Sequence, residues 1–260
     1  MRLDTYICTA GLAKSRTKAA SLISGGFVTV NGAAVTKPSA DVTEADSVEV
    51  IGDDVPFVSR GGLKLEGAIK AFGIDVGGMI CADIGASTGG FTHCLLMHGA
   101  KHVCAIDSGH DQLDESLKND PRVTNIEGFN ARNLTESVTG GKCGIAVCDL
   151  SFISQTLVIP AVSGILGDGG LFVSLIKPQF ECGRGALGKN GIVRDKKMHL
   201  FAIRKVFSCA AENGLIPQNV IPSPIKGGDG NREFLFLAEK NGDKSKMTGE
   251  AEIKGAVFGE

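Results

Sequence analysis

The chain of 260 residues contains no tryptophan and only one tyrosine; its aromatic content of 5% is carried almost entirely by 13 phenylalanines. Without Trp and Tyr there is no belt of amphipathic rings to seat a segment at a bilayer interface. No basic amphipathic helix with aromatic anchors stands out either, so a membrane-lytic role is poorly supported. Long apolar runs are missing too, which excludes a spanning helix, and Met1 is not followed by a positive-then-apolar signal pattern. The expected location is the cytoplasm. Charge of one sign is also lacking: 27 Lys and Arg stand against 29 Asp and Glu, a net charge of −2. Bulk electrostatics therefore announce no nucleic-acid partner, and only a local basic patch could recruit one. The 8 cysteines are scattered, without C-x-x-C spacing, and only His98 and His102 of the 5 histidines are four apart, with Gly99 between them. No metal site is expected. Cys81, Cys104 and Cys148 lie inside apolar runs and read as small buried hydrophobes of a reducing compartment.

What the chain does have is a glycine-rich corner, Asp83-Ile84-Gly85-Ala86-Ser87-Thr88-Gly89-Gly90-Phe91. An apolar run, Met79 to Ala82, leads into it as a strand, and Phe91 to Met97 follows as a helix. A strand ending in an acid, a Gly-rich turn and a helix make the nucleotide-binding corner of a doubly wound α/β sheet. The glycines follow G-x-x-x-G-G rather than the dinucleotide pattern G-x-G-x-x-G. This arrangement resembles motif I of S-adenosylmethionine methyltransferases, and by that resemblance Asp83, Gly85, Ser87, Gly89, Gly90 and Phe91 are cofactor-binding candidates.

Four further strands read from apolar runs at His102–Ile106, Val123–Ile126, Ile145–Cys148 and Leu171–Ile176. The first ends at Asp107, where an acid hydrogen-bonds ribose hydroxyls; this supports an adenosine-containing ligand without choosing between a nicotinamide and a sulfonium cofactor. Asn130, after the third strand, is the adenine-contact candidate by the methyltransferase resemblance. Ligands of open α/β sheets bind beyond the carboxyl ends of the strands, so Asp83, Asp107, Asp149 and Lys177 are expected to ring one crevice. Beside it, from Lys177 to Lys205, eight cations, Arg184 and Lys189 among them, face two acids in a Gly-rich loop and the helix after it. That composition suits a polyanion. A helix capped by Asp195 should cover the sheet through Met198, Phe201, Val206 and Ala210. A hairpin of Val220–Ile225 and Glu233–Ala238 should close the sheet, and the polar tail from Asn241 carries no assigned structure.

Residues 1–55 form a separate small unit: a short helix opening at Arg2-Leu3-Asp4, a second helix capped by Ser15, a strand at Phe27–Val30, and a hairpin turn at Asn31-Gly32. Together with Arg16, Ala19, Ile23, Gly26 and Lys37-Pro38 this pattern resembles the αL RNA-binding domain found in a small-subunit ribosomal protein. The resemblance implies that Arg2, Lys14, Arg16 and Lys18 contact RNA phosphates, which position RNA without reading its sequence. Acids from Asp41 to Asp54 are expected to face away from that surface. Pro56 marks a linker, 56–62, containing Arg60, a further RNA-contact candidate; the helix Leu63–Phe72 then opens the large unit, 63–240.

Across about residues 1 to 240 the chain resembles the TlyA family, historically called haemolysins, ribosomal RNA 2'-O-methyltransferases of the FtsJ-like class. The resemblance rests on Ser59-Arg60-Gly61-Gly62-Leu63-Lys64-Leu65, the Asp83–Phe91 corner, Cys148-Asp149-Leu150-Ser151-Phe152-Ile153, Lys177-Pro178-Gln179-Phe180-Glu181 and Asn231-Arg232-Glu233-Phe234. It implies a Rossmann-like fold, S-adenosylmethionine as methyl donor and a cytidine ribose in ribosomal RNA, free or in a ribosomal subunit, as acceptor. By the same analogy Lys64, Asp149, Lys177 and Glu233 form the catalytic set, with Lys177 as base or steering cation. Because the chain opens almost at Arg2-Leu3-Asp4, the large-subunit-only type of this family is favoured. The alternatives are a non-catalytic RNA-binding or haemolysin-like protein and a small-molecule methyltransferase; the latter would leave the first unit and the basic loop without a role.

Overall fold

The structure, a computed structural model, describes residues 1–13, 15–51, 56–227 and 230–259; the side chains of Thr17 and Lys189 are also outside the description. In the small unit, helices α1 (Leu3–Thr9) and α2 (Arg16–Ser24) precede strands β1 (Val28–Val30), β2 (Ala33–Ala34) and β3 (Val48–Val50). Ser15 caps α2 by accepting the Lys18 amide. Asn31 and Gly32 both take positive φ, 52° and 78°, the requirement of a tight turn between antiparallel strands. The three strands are antiparallel in the order β2-β1-β3, and Leu3, Ile7, Ala19, Leu22, Ile23, Phe27, Val28 and Val42 form their own core.

The large unit runs α3 (Gly61–Phe72), β4 (Ile80–Ile84), α4 (Gly90–Met97), β5 (His102–Ile106), α5 (Glu115–Lys118), β6 (Val123–Ile126), α6 (Glu136–Thr139) and β7 (Cys143–Cys148). It continues through α7 (Ile159–Ile165), β8 (Leu166–Ile176), α8 (Pro178–Glu181), α9 (Lys196–Glu212), β9 (Leu215–Pro222), β10 (Phe234–Lys240) and α10 (Glu250–Phe258). Seven strands lie in the order β6-β5-β4-β7-β8-β10-β9, with β10 antiparallel to both neighbours and the inner strands parallel. The chain moves outward from β4 to β6 and then returns to β7, so the switch point, where such sheets bind ligands, lies between β4 and β7. Both faces are covered. Phe172, Ile176, Phe234 and Phe236 pack under α7, α9 and α10, while Val173, Leu175, Leu235 and Leu237 pack under α3 and α4. This is why these strands read as continuous apolar runs.

Several expectations shift. Strand β4 continues through Asp83 to Ile84 instead of ending at the acid. The hairpin's first strand lies at Leu215–Pro222, directly after Gly214; as the sheet edge it tolerates Pro217 and Pro222. On α9 the buried face is His199, Leu200, Ala202, Ile203, Val206, Phe207 and Ala210, whereas Phe201 is 47% exposed. The tail is not featureless: α10 buries Ile253, Ala256 and Val257 against α9 and β9. Its weak sequence signal comes from an apolar set too sparse to mark a face.

Candidate functional site

The corner after β4 holds its shape through glycine. At Gly85 φ is +85° and a β-carbon would stand 2.6 Å from the Asp149 carbonyl oxygen, so only glycine lets β4 and β7 approach here. Gly89 is fixed by its backbone, at φ +93°, a region that residues with a β-carbon rarely adopt. Gly90 lets the loop before α3 reach the start of α4, where a β-carbon would meet Ser59 Oγ at 2.3 Å. Phe91 is buried beside it. Ser87 sits at φ +48° and donates its amide to Asp107 Oδ2 (2.8 Å), while Gly109 N–H donates to Asp107 Oδ1 (2.7 Å).

Two cavities open at this corner and share Gly85, Ser87, Asp149 and Ser151. One, of about 310 Å³, has apolar walls from Ile106, Phe129, Leu150, Ile153 and Val158, with Asp107 and Asn130 at its polar edge. These residues fit an adenosine. The ring needs apolar walls, and a carboxylate offers about four lone-pair sites, so Asp107 keeps acceptors for two ribose hydroxyls after its two amide bonds. Asn130 lends its Oδ1 to the Arg132 amide.

Asp83 departs from expectation. It lines neither cavity: fully buried within β4, it accepts the Thr92 hydroxyl at 2.7 Å through Oδ2, and its Oδ1 has no partner. Ala82 and Ile84 face the α7 and α9 side of the sheet, so strand alternation sends the Asp83 side chain to the other face, against Thr92 of α4, rather than into the crevice. Burial pushes its pKa up to about 7, against the opposing Thr92 hydrogen bonds.

The second cavity, of about 240 Å³, reaches Lys64, Asp149 and Lys177. Lys64, in the first turn of α3, donates to Glu233 Oε2 at 2.8 Å and lies 3.7 Å from Asp149 Oδ2. Lys177, at the end of β8, lies 2.6 Å from Asp149 Oδ1. That approach is off the line of a hydrogen bond, so it acts as a charge contact; the aligned donation goes to Ser151 Oγ at 2.9 Å. The four expected residues are thus joined as Glu233–Lys64–Asp149–Lys177, with both lysine side chains 11% exposed. Burial opposes the Lys64 ammonium, but Asp149 and Glu233 together outweigh it and raise its pKa. Burial likewise opposes the Asp149 carboxylate, and Lys64 and Lys177 outweigh it and hold its pKa low.

Sequence reasoning did not single out Ser151, Phe152 or Phe180 as functional. Phe152 is 91% exposed, sits at φ +64° and packs against Phe180 at 5.3 Å between ring centroids. A bulky residue held in the left-handed region with its ring in solvent is strained for a reason other than burial. The signal was present as an aromatic between serines, three residues after Asp149, the acid that follows β7.

Three consecutive side chains beside this set fasten three separate elements. Asn231 accepts the Val193 amide and donates to the Gly191 carbonyl, tethering the Gly-rich loop. Arg232 donates to the carbonyls of Ala256 and Val257 at the end of α10. Glu233 holds Lys64.

The RNA-contact candidates are dispersed. Arg2 and Arg16 both bind the nearly buried Asp4, at 2.7 and 3.2 Å, which drives its pKa far below the carboxylate range. Each keeps about half its side chain in solvent. Asp41, expected to face away, is exposed and pairs its backbone with that of Arg2. Lys18 and Arg184 are exposed; Lys14 and the Lys189 side chain lie outside the described residues. Arg60 ties the two units together, its amide donating to the Gly25 carbonyl (3.1 Å) and its guanidinium reaching the Gly26 carbonyl (3.4 Å). The preceding linker is packed against the large unit: Phe57 is buried, and the Val58 amide donates to His93 Nδ1.

Among the described residues no helix is long and apolar enough to cross a membrane, and no cluster of His, Cys, Asp and Glu could hold a metal. Residues 57–240 match the FtsJ-like methyltransferase family and residues 1–48 match the S4 domain. The chain is 42% identical over 245 residues to the 16S/23S rRNA (cytidine-2'-O)-methyltransferase TlyA of Mycobacterium tuberculosis, covering 94% of this chain and 91% of that protein. It is 45% identical over 240 residues to Hemolysin A of Brachyspira hyodysenteriae, covering 90% and 98% respectively. A solved structure from Streptococcus thermophilus that carries the hemolysin label is similar at a TM-score of 0.79 and 40% identity, over 100% of this chain and 94% of that one.

Proposed function

Because this chain belongs to the FtsJ-like methyltransferase family, in the TlyA group that joins it to an S4 domain, we propose that it methylates the 2'-hydroxyl of a cytidine in ribosomal RNA. The observation that carries this reading is the chain Glu233–Lys64–Asp149–Lys177, whose Lys64, Asp149 and Lys177 line a cavity that meets the adenosine-sized one at Gly85 and Ser87. S-adenosylmethionine, when bound, supplies an electrophilic methyl group. Gly85, Ser87, Asp107 and Asn130 hold it, and the apolar walls keep bulk water from the reacting carbon. The Gly89–Phe91 segment shapes the corner, and Asp83 supports it from below through Thr92.

A ribose hydroxyl is a weak acid. The Lys64 ammonium facing it stabilises the negative charge its oxygen gains as the proton leaves. Lys177 takes that proton as a neutral amine or, as an ammonium, steers the hydroxyl while the proton leaves to solvent; Asp149 fixes both lysines, Lys64 positions the hydroxyl and Glu233 holds Lys64. The exposed face of Phe152 offers the base of the target nucleotide a stacking surface at the cavity rim. Arg2, Arg16, Lys18 and Arg184, with Lys14 and Lys189, contribute phosphate contacts, and the work is done in the cytoplasm. The test is transfer of labelled methyl groups to ribosomal RNA or subunits by the parent protein and by Lys177→Ala. Transfer that Lys177→Ala abolishes is expected; a parent protein that methylates no ribosomal substrate refutes the reading.

A further inference from the structure

The cavity at the lysine pair does not end at the large unit. Its outer wall is built by Gly25, Gly26, Ala34 and Thr36 of the small unit. A third cavity, of about 540 Å³, continues outward along the border between the units and shares Ala34, Arg60 and Lys226 with the one at the lysine pair. The small unit presents to this corridor little beyond glycine, alanine and threonine, so a bulky chain can come close to its backbone. Among the described residues the outer cavity is lined by no carboxylate, and the only one in the inner cavity, Asp149, is already engaged by two lysines. Among the described residues, Arg60 and Lys226 thus have no ion-pair partner where the two cavities join.

The Ser223 amide donates to the Glu233 carbonyl (2.9 Å) and the Gly227 amide to the Asn231 carbonyl (3.0 Å), so the described backbone on both sides of Lys226 is tied to the segment that carries Glu233. Gly227 lies so near Glu233 that a β-carbon would meet its Oε1 at 2.6 Å. The cation is therefore anchored beside the catalytic set.

We infer that this border corridor takes the sugar–phosphate strand flanking the methylated nucleotide, with Arg60 and Lys226 as its phosphate clamp, so that the substrate enters as an unpaired strand. The inference rests on the ribosomal RNA reading above. An A-form duplex exposes its phosphates around a wide cylinder and is read across its minor groove; a corridor walled by two protein units excludes it. A single strand fits, and its phosphates meet the two cations in passing.

The test compares the parent with Lys226→Met and Lys226→Glu, binding a single-stranded ribosomal RNA fragment and the same sequence in a duplex, across 50–300 mM salt. Cofactor affinity by calorimetry serves as the control for folding; Lys226 is exposed and neither variant disturbs a core. The expected result is about tenfold weaker single-strand binding for Lys226→Glu, and a salt slope lower by about one for both variants. Parent binding should favour the single strand. Unchanged slopes in both variants, or equal affinity for duplex and single strand, overturn the inference. Because binding is read without turnover, failure of the methylation assay is distinguishable from failure of the clamp.

Discussion

Replacing Glu233 by glutamine removes one negative charge from a buried set of two cations and two anions while keeping the side chain's shape. Lys64 Nζ stands 2.8 Å from Glu233 Oε2 and 3.7 Å from Asp149 Oδ2. With an effective dielectric of about 20, these attractions are roughly 6 and roughly 4.5 kcal/mol. The substitution therefore takes the larger share of what holds the Lys64 ammonium out of water. Against this, the carboxylate, only 3% exposed, no longer has to be desolvated. Removing one partner of a buried pair costs about 3–5 kcal/mol; the amide oxygen can still accept from Lys64, so about 2–3 kcal/mol is expected. Urea unfolding at pH 7 reads the loss directly.

The sign of the pH dependence adds a second check. Lys64 has a folded pKa above its unfolded value, so its stabilisation is fully present below the ordinary lysine range and is lost as pH rises through the folded value. With Glu233 neutral, the folded value is lower and that loss is complete at lower pH, and the gap between parent and variant should close once Lys64 is deprotonated in both. Methyl transfer should fall at least about tenfold, or about 1.4 kcal/mol in barrier, with cofactor affinity retained. A variant within about 0.5 kcal/mol of the parent at every pH, and equally active, would refute the view that this charge pair positions Lys64.

Two further outcomes follow from the same geometry. Asp83 has its pKa pushed up to about 7 by burial, so the folded state binds its proton more tightly and stability falls as pH rises from about 4 to about 7. Asp83→Asn keeps an acceptor for Thr92 and should be more stable than the cofactor-free parent at pH 8, by about 2–4 kcal/mol, with a flatter pH profile; thermal unfolding at pH 5 and pH 8 checks this, and equal stability at pH 8 contradicts it. Phe152→Gly removes a ring that is 91% exposed from a residue at φ +64°, relieving about 1 kcal/mol of strain. It should fold at least as well as the parent yet raise the KM for RNA about 10- to 100-fold if one base stacks there; an unchanged KM rules the stacking role out.

Local signals carried much of the architecture. The acid-ended strands and the Gly85 corner belong to short stretches whose backbone needs are written in neighbouring residues. So do the Ser15 and Asp195 caps and the Asn31-Gly32 turn. Lys177 and Asp149 were legible in the same way, because each follows an apolar strand. Lys64 and Glu233 were legible only through the family resemblance: they are 169 positions apart, and nothing local says that they meet. Their contact depends on β10 inserting antiparallel between β8 and β9 while α3 lies across the same face. The fate of Asp83 was decided by what covers its face of the sheet: alternation sets its carboxylate opposite Ala82 and Ile84, against Thr92 of α4. Arg2 and Arg16 looked free for phosphate until folding brought both to Asp4. The border corridor, with Arg60 and Lys226 at its junction, had no sequence signature, since it is a space between elements. The sequence by itself determined which segments become strands, turns and caps, because those choices are settled by steric and hydrogen-bonding needs within a few residues. Only the tertiary structure decided which distant charges neutralise one another and which are left facing a cavity, because that depends on strand order and on what each buried group finds opposite it.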